Sequence, residues 1–385
     1  MKSRILILGA GFGGLAAATS LRSRLGPEHE IVVVDRKQSF MMGLAKLWVL
    51  TGERTLEEGR RDRALLAKKD VKFVKTEAKR IDLEGRSVLT DAGSFSYDYL
   101  VVALGAELAP ELLPGFHEGA LNLYDPDQVL KTSLELSGLT SGRLVILVCG
   151  MPFKCPPAPY EASMLIDDML RKRGVRNSVQ LDLYSAEPMP VPIAGKANSA
   201  KLQGWLAERG IGLNVNHKPA RIEPRSKEIV FENGERTKYD ILLAVPPHRC
   251  PKAVADAGLI DSSGWVPVEP RTLKTRHDRV FAVGDVTIVK LPNGMMLPKA
   301  GIFAEAEANV VAEEIAGELG GELSLAGFDG RGFCFVESGG GKASVVRGEF
   351  FASPTPKLEI GEPSPDWLRE KHDFEKVRLE RWFGA

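Results

Sequence analysis

The chain of 385 residues contains only four cysteines and lacks any long apolar run. Nothing in it approaches the roughly 18 consecutive apolar residues of a membrane-spanning helix. The cysteines show no CxxC spacing, and no arrangement of cysteines and histidines along the chain predicts a metal site. Neither sign of charge is in excess, since Lys plus Arg and Asp plus Glu number 51 each. No net field therefore favours nucleic acid or an anionic membrane.

A secretory signal is also missing from the start of the chain. Met-Lys-Ser-Arg is followed at once by the strand-like run Ile5-Leu6-Ile7-Leu8, without a longer apolar stretch or a small-residue cleavage site. We expect a cytoplasmic protein, or one that is peripheral on the inner face of the cell membrane. In that reducing compartment structural disulfides are rare, and a bridge that forms is usually catalytic. The length exceeds one ordinary core, so two or three domains are expected.

The first 35 residues read as strand, glycine-rich turn, helix and strand. An ordinary glycine turn would not need this flanking strand and helix, or the acid at the end of the second strand. Gly9 permits a tight turn, Gly11 lets a pyrophosphate approach the backbone, and Gly14 lets the helix pack on the strand. Asp35 closes the second strand, where it can accept hydrogen bonds from ribose hydroxyls and argues against a 2′-phosphate. The predicted dinucleotide site consists of Gly9, Gly11, Phe12, Gly13, Gly14, Asp35 and Arg36.

Two later segments bear on which dinucleotide is bound. Residues 97–105 and 279–285 each read as a strand that ends near a glycine, and the second ends in Gly284-Asp285. This pattern resembles the FAD-dependent flavoproteins with two dinucleotide-binding domains, whose Gly-Asp carboxylate holds the ribityl chain. The resemblance implies FAD and gives Asp285 that role, which is compatible with a helix N-cap. The contacts it adds are Ala103, Leu104, Gly105, Gly284 and Asp285.

The corresponding motif in the middle of the chain has lost its glycines. After a strand at residues 144–148, one glycine and four prolines occupy the stretch Cys149-Gly150-Met151-Pro152-Phe153-Lys154-Cys155-Pro156-Pro157-Ala158-Pro159-Tyr160-Glu161. Proline has no amide to offer a phosphate and cannot adopt positive φ. Strands predicted at 179–184 and 239–245 indicate that the domain retains its fold, but we expect it to have lost the ability to bind a cofactor. We do not expect NAD(P)H as the electron donor.

Cys155 lies just before a helix predicted at about residues 160–172. A helix N-terminus favours the thiolate form of a cysteine. Glu161 lies close enough in sequence to accept a proton from an incoming sulfur nucleophile. On these grounds alone, a catalytic cysteine and a buried, unreactive one both remain open.

Several segments along nearly the whole chain share one resemblance. They are Lys154-Cys155-Pro156-Pro157-Ala158-Pro159-Tyr160-Glu161, Val245-Pro246-Pro247-His248, Gly264-Trp265-Val266-Pro267-Val268, Leu291-Pro292-Asn293-Gly294 and Pro298-Lys299-Ala300-Gly301-Ile302-Phe303-Ala304-Glu305. The sequence is similar to the flavoprotein subunit of flavocytochrome c sulfide dehydrogenase and to sulfide:quinone oxidoreductases, in the FAD-dependent pyridine nucleotide-disulfide oxidoreductase superfamily. The Cys-Pro-Pro and Pro-Lys-Ala-Gly segments are the most specific parts of the likeness.

The resemblance implies an α/β fold with two Rossmann-like dinucleotide-binding domains, like glutathione reductase, and a small C-terminal α+β domain. Residues 1–112 and 262–320 would form a discontinuous FAD-binding domain. Residues 113–261 would form a second Rossmann-like domain with a degenerate NAD site. Residues 321–385 would form the C-terminal domain.

The same resemblance implies sulfide oxidation through a redox disulfide. In the family two cysteines bridge above the flavin, and they match Cys155 and Cys334, while the family's carboxylate base matches Glu161. Sulfide would attack the bridge, giving a persulfide and a thiolate that delivers two electrons to the flavin. A second sulfur nucleophile would remove the persulfide sulfur, and a quinone or cytochrome-type carrier would accept the electrons.

Lys299, Ala300 and Gly301 complete the cofactor site that the resemblance implies. They open a helix predicted at residues 300–316, whose N-terminus should face the flavin pyrimidine edge. A positive charge there would stabilise the anionic reduced flavin. The alternative for Lys299 is a solvated surface lysine.

Two departures from the family pattern concern its other cysteines. Flavocytochrome c flavoproteins often tether FAD through an early cysteine, but this chain has none before Cys149, so FAD should be bound non-covalently. The third cysteine of typical sulfide:quinone oxidoreductases is absent for the same reason, which puts long polysulfide products in doubt. Cys149 and Cys250 match no family role and are interpreted as structural.

The end of the chain predicts an antiparallel pair, residues 343–346 and 348–351, and then a helix at about Pro365–Phe383. Apolar residues recur at near-helical spacing, with Lys and Arg between them: Trp367, Phe374, Val377 and Trp382. Such a helix either lies in a membrane interface or docks onto its own domain or a dimer partner, and we favour docking.

Two other functions share the features described so far. One is a type II NADH:quinone oxidoreductase-like flavoenzyme, which has the same fold but which the proline-filled second loop disfavours. The other is a non-catalytic FAD-binding subunit whose cysteines are idle. Neither predicts that sulfide would reduce the flavin.

Overall fold

Two parallel β-sheets form the centres of the two larger parts of the molecule. The computed structural model describes residues 2–321 and 327–384. The first sheet consists of buried runs of Val, Ile and Leu, as parallel strands covered on both faces require. Its strands, in spatial order, are Val280–Ala282, Tyr99–Val102, Arg4–Leu8, Glu30–Asp35 and Lys72–Lys75.

The second sheet repeats this parallel arrangement, which confirms the predicted α/β class with two Rossmann-like units. Its strands are Leu121–Asn122, Ile241–Val245, Gly142–Val148, Val179–Ser185 and Gly212–Asn214. Each parallel sheet is accompanied by a three-stranded antiparallel one, namely Ala78–Asp82, Ser87–Thr90 and Gly93–Ser96, and Pro219–Glu223, Glu228–Phe231 and Arg236–Lys238. Short strand pairs are Ser39–Met41 with Arg60–Asp62, Glu107–Leu108 with His248–Arg249, and Val266–Pro267 with Thr287–Ile288.

Four helices position the groups discussed below. We name them the glycine-motif helix (Phe12–Arg24), the cysteine helix (Ala158–Lys172), the lysine helix (Gly301–Gly320) and the C-terminal helix (Pro365–Phe383). The glycine-motif helix packs on its strand so closely that a Cβ at Gly14 would lie 1.7 Å from the Gly9 carbonyl oxygen. The other α-helices of the described residues are Ala45–Leu50, Leu56–Gly59, Phe116–Gly119, Val129–Gly138, Gly195–Glu208 and Lys252–Asp256.

The C-terminal sheet differs from our prediction. Lys342–Glu349 is one continuous strand, so the predicted pairing of residues 343–346 with 348–351 was wrong. This strand pairs antiparallel with Arg331–Gly339 and with Lys357–Ile360. Gly348 does not interrupt the strand: a Cβ there would lie 2.0 Å from the Lys357 carbonyl oxygen, so the glycine lets the neighbouring strand approach.

The C-terminal helix spans Pro365–Phe383, as predicted, and docks onto its own chain. The Ser364 hydroxyl accepts a hydrogen bond from the Trp367 amide at 3.3 Å, which caps the helix N-terminus. At the other end Trp382 is fully buried, and its ring centroid lies 5.3 Å from that of Phe12. None of the described helices combines the length and hydropathy that a bilayer-spanning segment needs.

Candidate functional site

The fold brings together the two cysteines that the sequence singled out. Cys155 precedes the cysteine helix with a left-handed backbone (φ 51°), and its amide donates to the Lys299 carbonyl oxygen at 2.7 Å. Cys334 lies in the strand Arg331–Gly339. Both are free thiols, and the nearness of Cys155, followed by burial, raises the pKa of Cys334 well above its usual value. Sulfurs in such contact need to move little to form the roughly 2 Å bond of a disulfide.

A buried ion cluster lies beside this pair of thiols. Lys371 of the C-terminal helix is fully buried, and its ammonium donates to Glu161 Oε1 at 2.5 Å and to Glu337 Oε2 at 2.6 Å. Glu161 belongs to the first turn of the cysteine helix, and Glu337 to the strand that carries Cys334. The Trp48 indole N–H also donates to Glu337 Oε2, at 2.9 Å. The cluster therefore joins four separate elements of the chain beside the cysteines.

The charges in this cluster set one another's proton affinity. Burial raises the pKa of Glu161, and Glu337 adds to the effect while Lys371 opposes it. Burial favours the neutral amine of Lys371, but Glu161 and Glu337 outweigh this and raise its pKa. Glu161 further raises, and Lys371 lowers, the pKa of Cys334. A carboxylate with raised proton affinity beside a sulfur has the property that a general base needs.

Two lysines, Lys46 and Lys154, lie near Cys155. Tyr124 donates its hydroxyl to the Cys155 carbonyl oxygen at 3.1 Å, and Lys46 donates to the Tyr124 carbonyl oxygen at 2.8 Å. Burial and the charge of Lys154 lower the pKa of Lys46 to about 7. The same two causes lower the pKa of His248 to about 3, so this imidazole is neutral at physiological pH. The lysines give the surroundings of Cys155 a positive potential that suits an anionic nucleophile.

The glycine-rich turn and its acid adopt the arrangement of a dinucleotide site. Asp35 accepts hydrogen bonds from the Ala10 amide at 2.7 Å and the Lys37 amide at 2.8 Å. Its carboxylate keeps acceptor capacity beyond these two bonds. The Arg63 guanidinium lies 3.6 Å from Asp35 and donates to the Ala10 carbonyl oxygen, which fixes the turn. A Cβ at Gly11 would meet nothing within 4 Å, so this glycine faces open space.

Asp285 and Lys299 lie at the end of the first sheet. One carboxylate oxygen of Asp285 is buried and has no hydrogen-bond partner among the described residues, and burial raises its pKa. The Lys299 ammonium donates to the carbonyl oxygens of Asp285 at 2.7 Å and Thr287 at 3.0 Å. It also lies 3.4 Å from the centroid of the Trp265 ring. Lys299 is therefore buried and bonded, which excludes the solvated alternative.

The remaining predicted cofactor residues lie in or beside these turns and at the start of the lysine helix. A Cβ at Gly9 would lie 2.3 Å from the Ala103 carbonyl oxygen, so the glycine turn is packed against the end of the neighbouring strand. One at Gly301 would lie 2.7 Å from the Phe12 ring. Arg36 is exposed at the rim, 3.6 Å from a Glu77 carboxylate oxygen. The other members, all in these same turns, are Gly13, Leu104, Gly105, Gly284 and Ala300.

In the second dinucleotide motif, side chains of the protein itself bind the acid that would otherwise bind a nucleotide. Glu187 follows the strand Val179–Ser185, at the position where an acid would bind a nucleotide ribose. It is 2% exposed and accepts hydrogen bonds from the Tyr160 hydroxyl at 2.5 Å and the Ser185 hydroxyl at 3.1 Å. Sequence reasoning missed Glu187, although its place after a predicted strand was a usable signal. These bonds engage the acid internally, in accord with the proline-filled loop.

Most of the chain matches a known family of oxidoreductases. The sequence profile of the pyridine nucleotide-disulphide oxidoreductases matches residues 3–307, and the chain belongs to that family. It is therefore an oxidoreductase with FAD as its cofactor, as predicted.

Three of the proteins similar to this chain are sulfide:quinone oxidoreductases. The chain is 33% identical over 74% of its length to a mitochondrial sulfide:quinone oxidoreductase of Dictyostelium discoideum, of which the match spans 65%. It is 26% identical over 91% of its length to the Mus musculus protein of the same name, with 79% of that protein covered. The structure of the sulfide:quinone oxidoreductase from Aquifex aeolicus superposes with a TM-score of 0.89 at 24% identity, covering 99% of this chain and 92% of the other.

The described residues fit FAD on three structural observations. The open space at Gly11 leaves the turn accessible to a pyrophosphate, and Asp35 holds that turn by accepting a hydrogen bond from the Ala10 amide. The unsatisfied Asp285 oxygen offers an acceptor to a polyol hydroxyl. Lys299 supplies a fixed positive charge near that acid. When bound, FAD provides a two-electron acceptor between the cysteine pair and an external oxidant.

Gly11→Ala should weaken FAD binding by at least about tenfold, or 1.4 kcal/mol. The new methyl group would occupy the space that a pyrophosphate approaches, while meeting no protein atom. The backbone at Gly11 has φ −86°, which alanine adopts readily, so the apoprotein should unfold within about 1 kcal/mol of the parent. Titration of apoprotein with FAD, followed by flavin fluorescence, measures the affinity.

Gly204→Ala is the matched control for this substitution. A Cβ at Gly204 also meets nothing within 4 Å, but this residue lies in the helix Gly195–Glu208, away from the turn. FAD affinity should be unchanged in the control. Equal affinities of Gly11→Ala and Gly204→Ala would show that the pyrophosphate does not lie against this turn.

Proposed function

We propose that the protein oxidises sulfide through a Cys155–Cys334 disulfide and passes the electrons through FAD to a quinone. The observation that carries this proposal is that the fold brings two thiols from distant parts of the chain next to each other, with Glu161 beside them. The similarity to sulfide:quinone oxidoreductases supports the choice of sulfide and quinone.

The chemistry begins at the oxidised cysteine pair. A hydrosulfide ion attacks one sulfur, the S–S bond breaks, and that cysteine becomes a persulfide while the other leaves as a thiolate. Glu161 accepts the proton of the incoming sulfur. A second sulfur nucleophile takes the outer sulfur of the persulfide and leaves a second thiolate. The two thiolates return to the disulfide by giving up two electrons, for which FAD, when bound, would be the acceptor and a quinone the final oxidant.

Neighbouring side chains attract the nucleophile, keep the base able to ionise and hold the backbone of Cys155. Lys46 and Lys154 attract the anionic nucleophile to Cys155. The Lys371 ammonium keeps Glu161 able to ionise despite its burial. Tyr124 holds the Cys155 carbonyl group and so supports the left-handed backbone that presents this thiol.

An aromatic surface next to Cys334 is suited to the quinone. The ring centroids of Phe333 and Phe374 lie 5.7 Å apart, and Phe335 lies 5.5 Å from Phe333. Phe333 and Phe374 are partly exposed, so a flat ring can stack on them. Phe333 precedes Cys334 in the chain, which places this surface close to the redox pair.

The alternative of an NADH:quinone oxidoreductase needs a nucleotide site in the second domain. Its turn holds prolines at 152, 156, 157 and 159, which donate no amide hydrogen, and Glu187 is engaged by Tyr160. These observations favour sulfide over NADH as the electron donor.

Anaerobic titration of the FAD-loaded protein tests the proposal. Sulfide should bleach the flavin absorbance with a two-electron stoichiometry, whereas NADH at the same concentration should leave it oxidised. A short-chain soluble quinone should then restore the oxidised spectrum. Bleaching by NADH but not by sulfide would replace the proposal with the NADH alternative, and bleaching by neither would favour a non-catalytic subunit.

We also infer where the enzyme works and how it is divided. A membrane quinone requires access from a bilayer, so we place the protein peripherally on the inner face of the cell membrane. Val377, 47% exposed on the C-terminal helix, is available for such contact, whereas Trp382 is buried and is not. Residues 1–112 with 262–320, residues 113–261 and residues 321–385 remain our proposed domains.

A further inference from the structure

A cationic pocket lies where the glycine-motif helix, the lysine helix and the C-terminal helix meet, on the outer side of the cofactor domain. Its volume is about 430 Å³. The charged residues that line it are Arg22, Arg24, Lys69, Arg381 and Glu305. Four of these side chains are cationic and one is acidic, so positive charge is in excess in the lining, whereas the whole chain has no net charge.

The cations of this pocket differ in how fully they are engaged. Arg22 is bound by Asp70 at 2.9 Å and by backbone carbonyl oxygens, so its role is to hold the end of the glycine-motif helix. Arg24 is bound by Glu313 at 2.8 Å, and Arg381 by Glu305 at 3.1 Å.

Lys69 is the least engaged of the four. It ends the 3-10 helix Arg63–Lys69, and its ammonium has no ion-pair or hydrogen-bond partner among the described residues. The indole N–H of Trp382, another lining residue, is likewise without a partner in the described part of the chain. The pocket thus holds positive charge and unused donors, which is the combination that binds an anion.

We propose that this pocket binds the phosphate group of an anionic phospholipid. Arginine and lysine donors converging on one cavity match the several acceptor oxygens of a phosphate. Arg381 shares a face of the C-terminal helix with Phe374 and the exposed Val377, at spacings of three to seven residues. The phosphate pocket and the proposed quinone surface therefore open toward the same side. The choice of a lipid over a free phosphate rests on the proposed quinone reduction.

Vesicle cosedimentation of the FAD-loaded protein tests this proposal. The protein should bind phosphatidylcholine vesicles that contain phosphatidylglycerol more tightly than vesicles of phosphatidylcholine alone. Lys69→Gln should weaken binding to the anionic vesicles about fivefold, as expected for one cation at a membrane surface. Because Lys69 makes no ion pair with any residue that the structure describes, the variant should keep the melting temperature of the parent.

Lys68→Gln is the matched control, since Lys68 is an exposed neighbour that does not line the pocket. It should weaken vesicle binding much less than Lys69→Gln. Equal losses in both variants would show diffuse attraction to the surface and would overturn the pocket, as would the lack of any preference for anionic vesicles.

A second arm separates the two sources of phosphate. Inorganic phosphate that raises the melting temperature of the parent but not of Lys69→Gln, without anionic vesicle binding, would overturn the lipid as occupant and identify a free phosphate instead. Neither arm uses sulfide or quinone. Failure here therefore leaves the sulfide titration untouched, and failure of that titration leaves the vesicle result intact.

Discussion

Cys155→Ala is expected to slow the reduction of FAD by sulfide by at least about a thousandfold. The substitution removes one sulfur of the proposed bridge, so that no disulfide remains for sulfide to attack. Of the other cysteines, Cys149 and Cys250 are buried, and burial raises the pKa of Cys250 to about 12. Neither can supply a replacement thiolate. Stopped-flow measurement of flavin bleaching under anaerobic conditions gives the rate.

Cys149→Ala provides the control for the loss of a thiol. Cys149 is 4% exposed, and its burial raises its pKa, so the proposed chemistry gives it no role. Its rate of flavin reduction by sulfide should equal that of the parent. Both variants should retain FAD and be reduced by dithionite. A parental rate in Cys155→Ala would contradict the proposed disulfide chemistry, because sulfide would then reduce the flavin without this thiol.

Lys371→Met should lower the free energy of unfolding by about 3–5 kcal/mol, since it breaks a buried ion cluster by removing one partner. Glu161 and Glu337 would then be left buried without the ammonium that both of them bind. Chemical denaturation of the FAD-loaded protein measures the loss. An unchanged unfolding free energy would show that the cluster contributes no more than a surface ion pair.

The same variant should shift the pH dependence of flavin reduction. Lys371 opposes the rise in the pKa of Glu161, so its removal raises that pKa further. Glu161 accepts a proton only when ionised, and the rate should therefore begin to rise at a higher pH than in the parent. A purely structural lysine would leave the pH profile of the surviving folded enzyme in place.

Lys371→Met combined with Glu337→Gln is the matched control for both readouts. It removes one positive and one negative charge, so the net charge of the cluster returns to that of the parent. A glutamine oxygen at position 337 can still accept the hydrogen bond that Trp48 donates. Stability should recover in part, and the double-mutant cycle gives the coupling between the two residues.

The dinucleotide half of the fold was predictable because its signals are local. A strand, a glycine turn, a helix and a closing acid lie within 35 residues, and in the structure Asp35 accepts a hydrogen bond from the Ala10 amide of that turn. The helix Pro365–Phe383 was predictable for the same reason, from its spacing of apolar residues. By contrast, the strand Lys342–Glu349, which pairs with the strand that carries Cys334, was predicted as two short strands, because Gly348 was interpreted as part of a break between them.

The charges around the cysteines could not be predicted because they depend on tertiary contacts. Lys371 lies in a helix rich in Lys and Arg, where a solvated side chain is the ordinary expectation. Its partner Glu161 is 210 residues away in the chain. Lys46 and Tyr124 also lie in segments without a motif. The resemblance to a known family named Cys155, Cys334 and Glu161, but it did not reveal the ammonium that holds Glu161.

The most direct test of the account is peptide mapping of the protein after oxidation by a quinone, with free thiols alkylated before digestion. We predict one disulfide-linked pair of peptides, which contains Cys155 and Cys334, and alkylated Cys149 and Cys250. Treatment with sulfide should convert the linked pair into two separate peptides, one of them carrying an additional sulfur. Alkylation of both Cys155 and Cys334 in the oxidised protein, or a bridge from either of them to another cysteine, would contradict it.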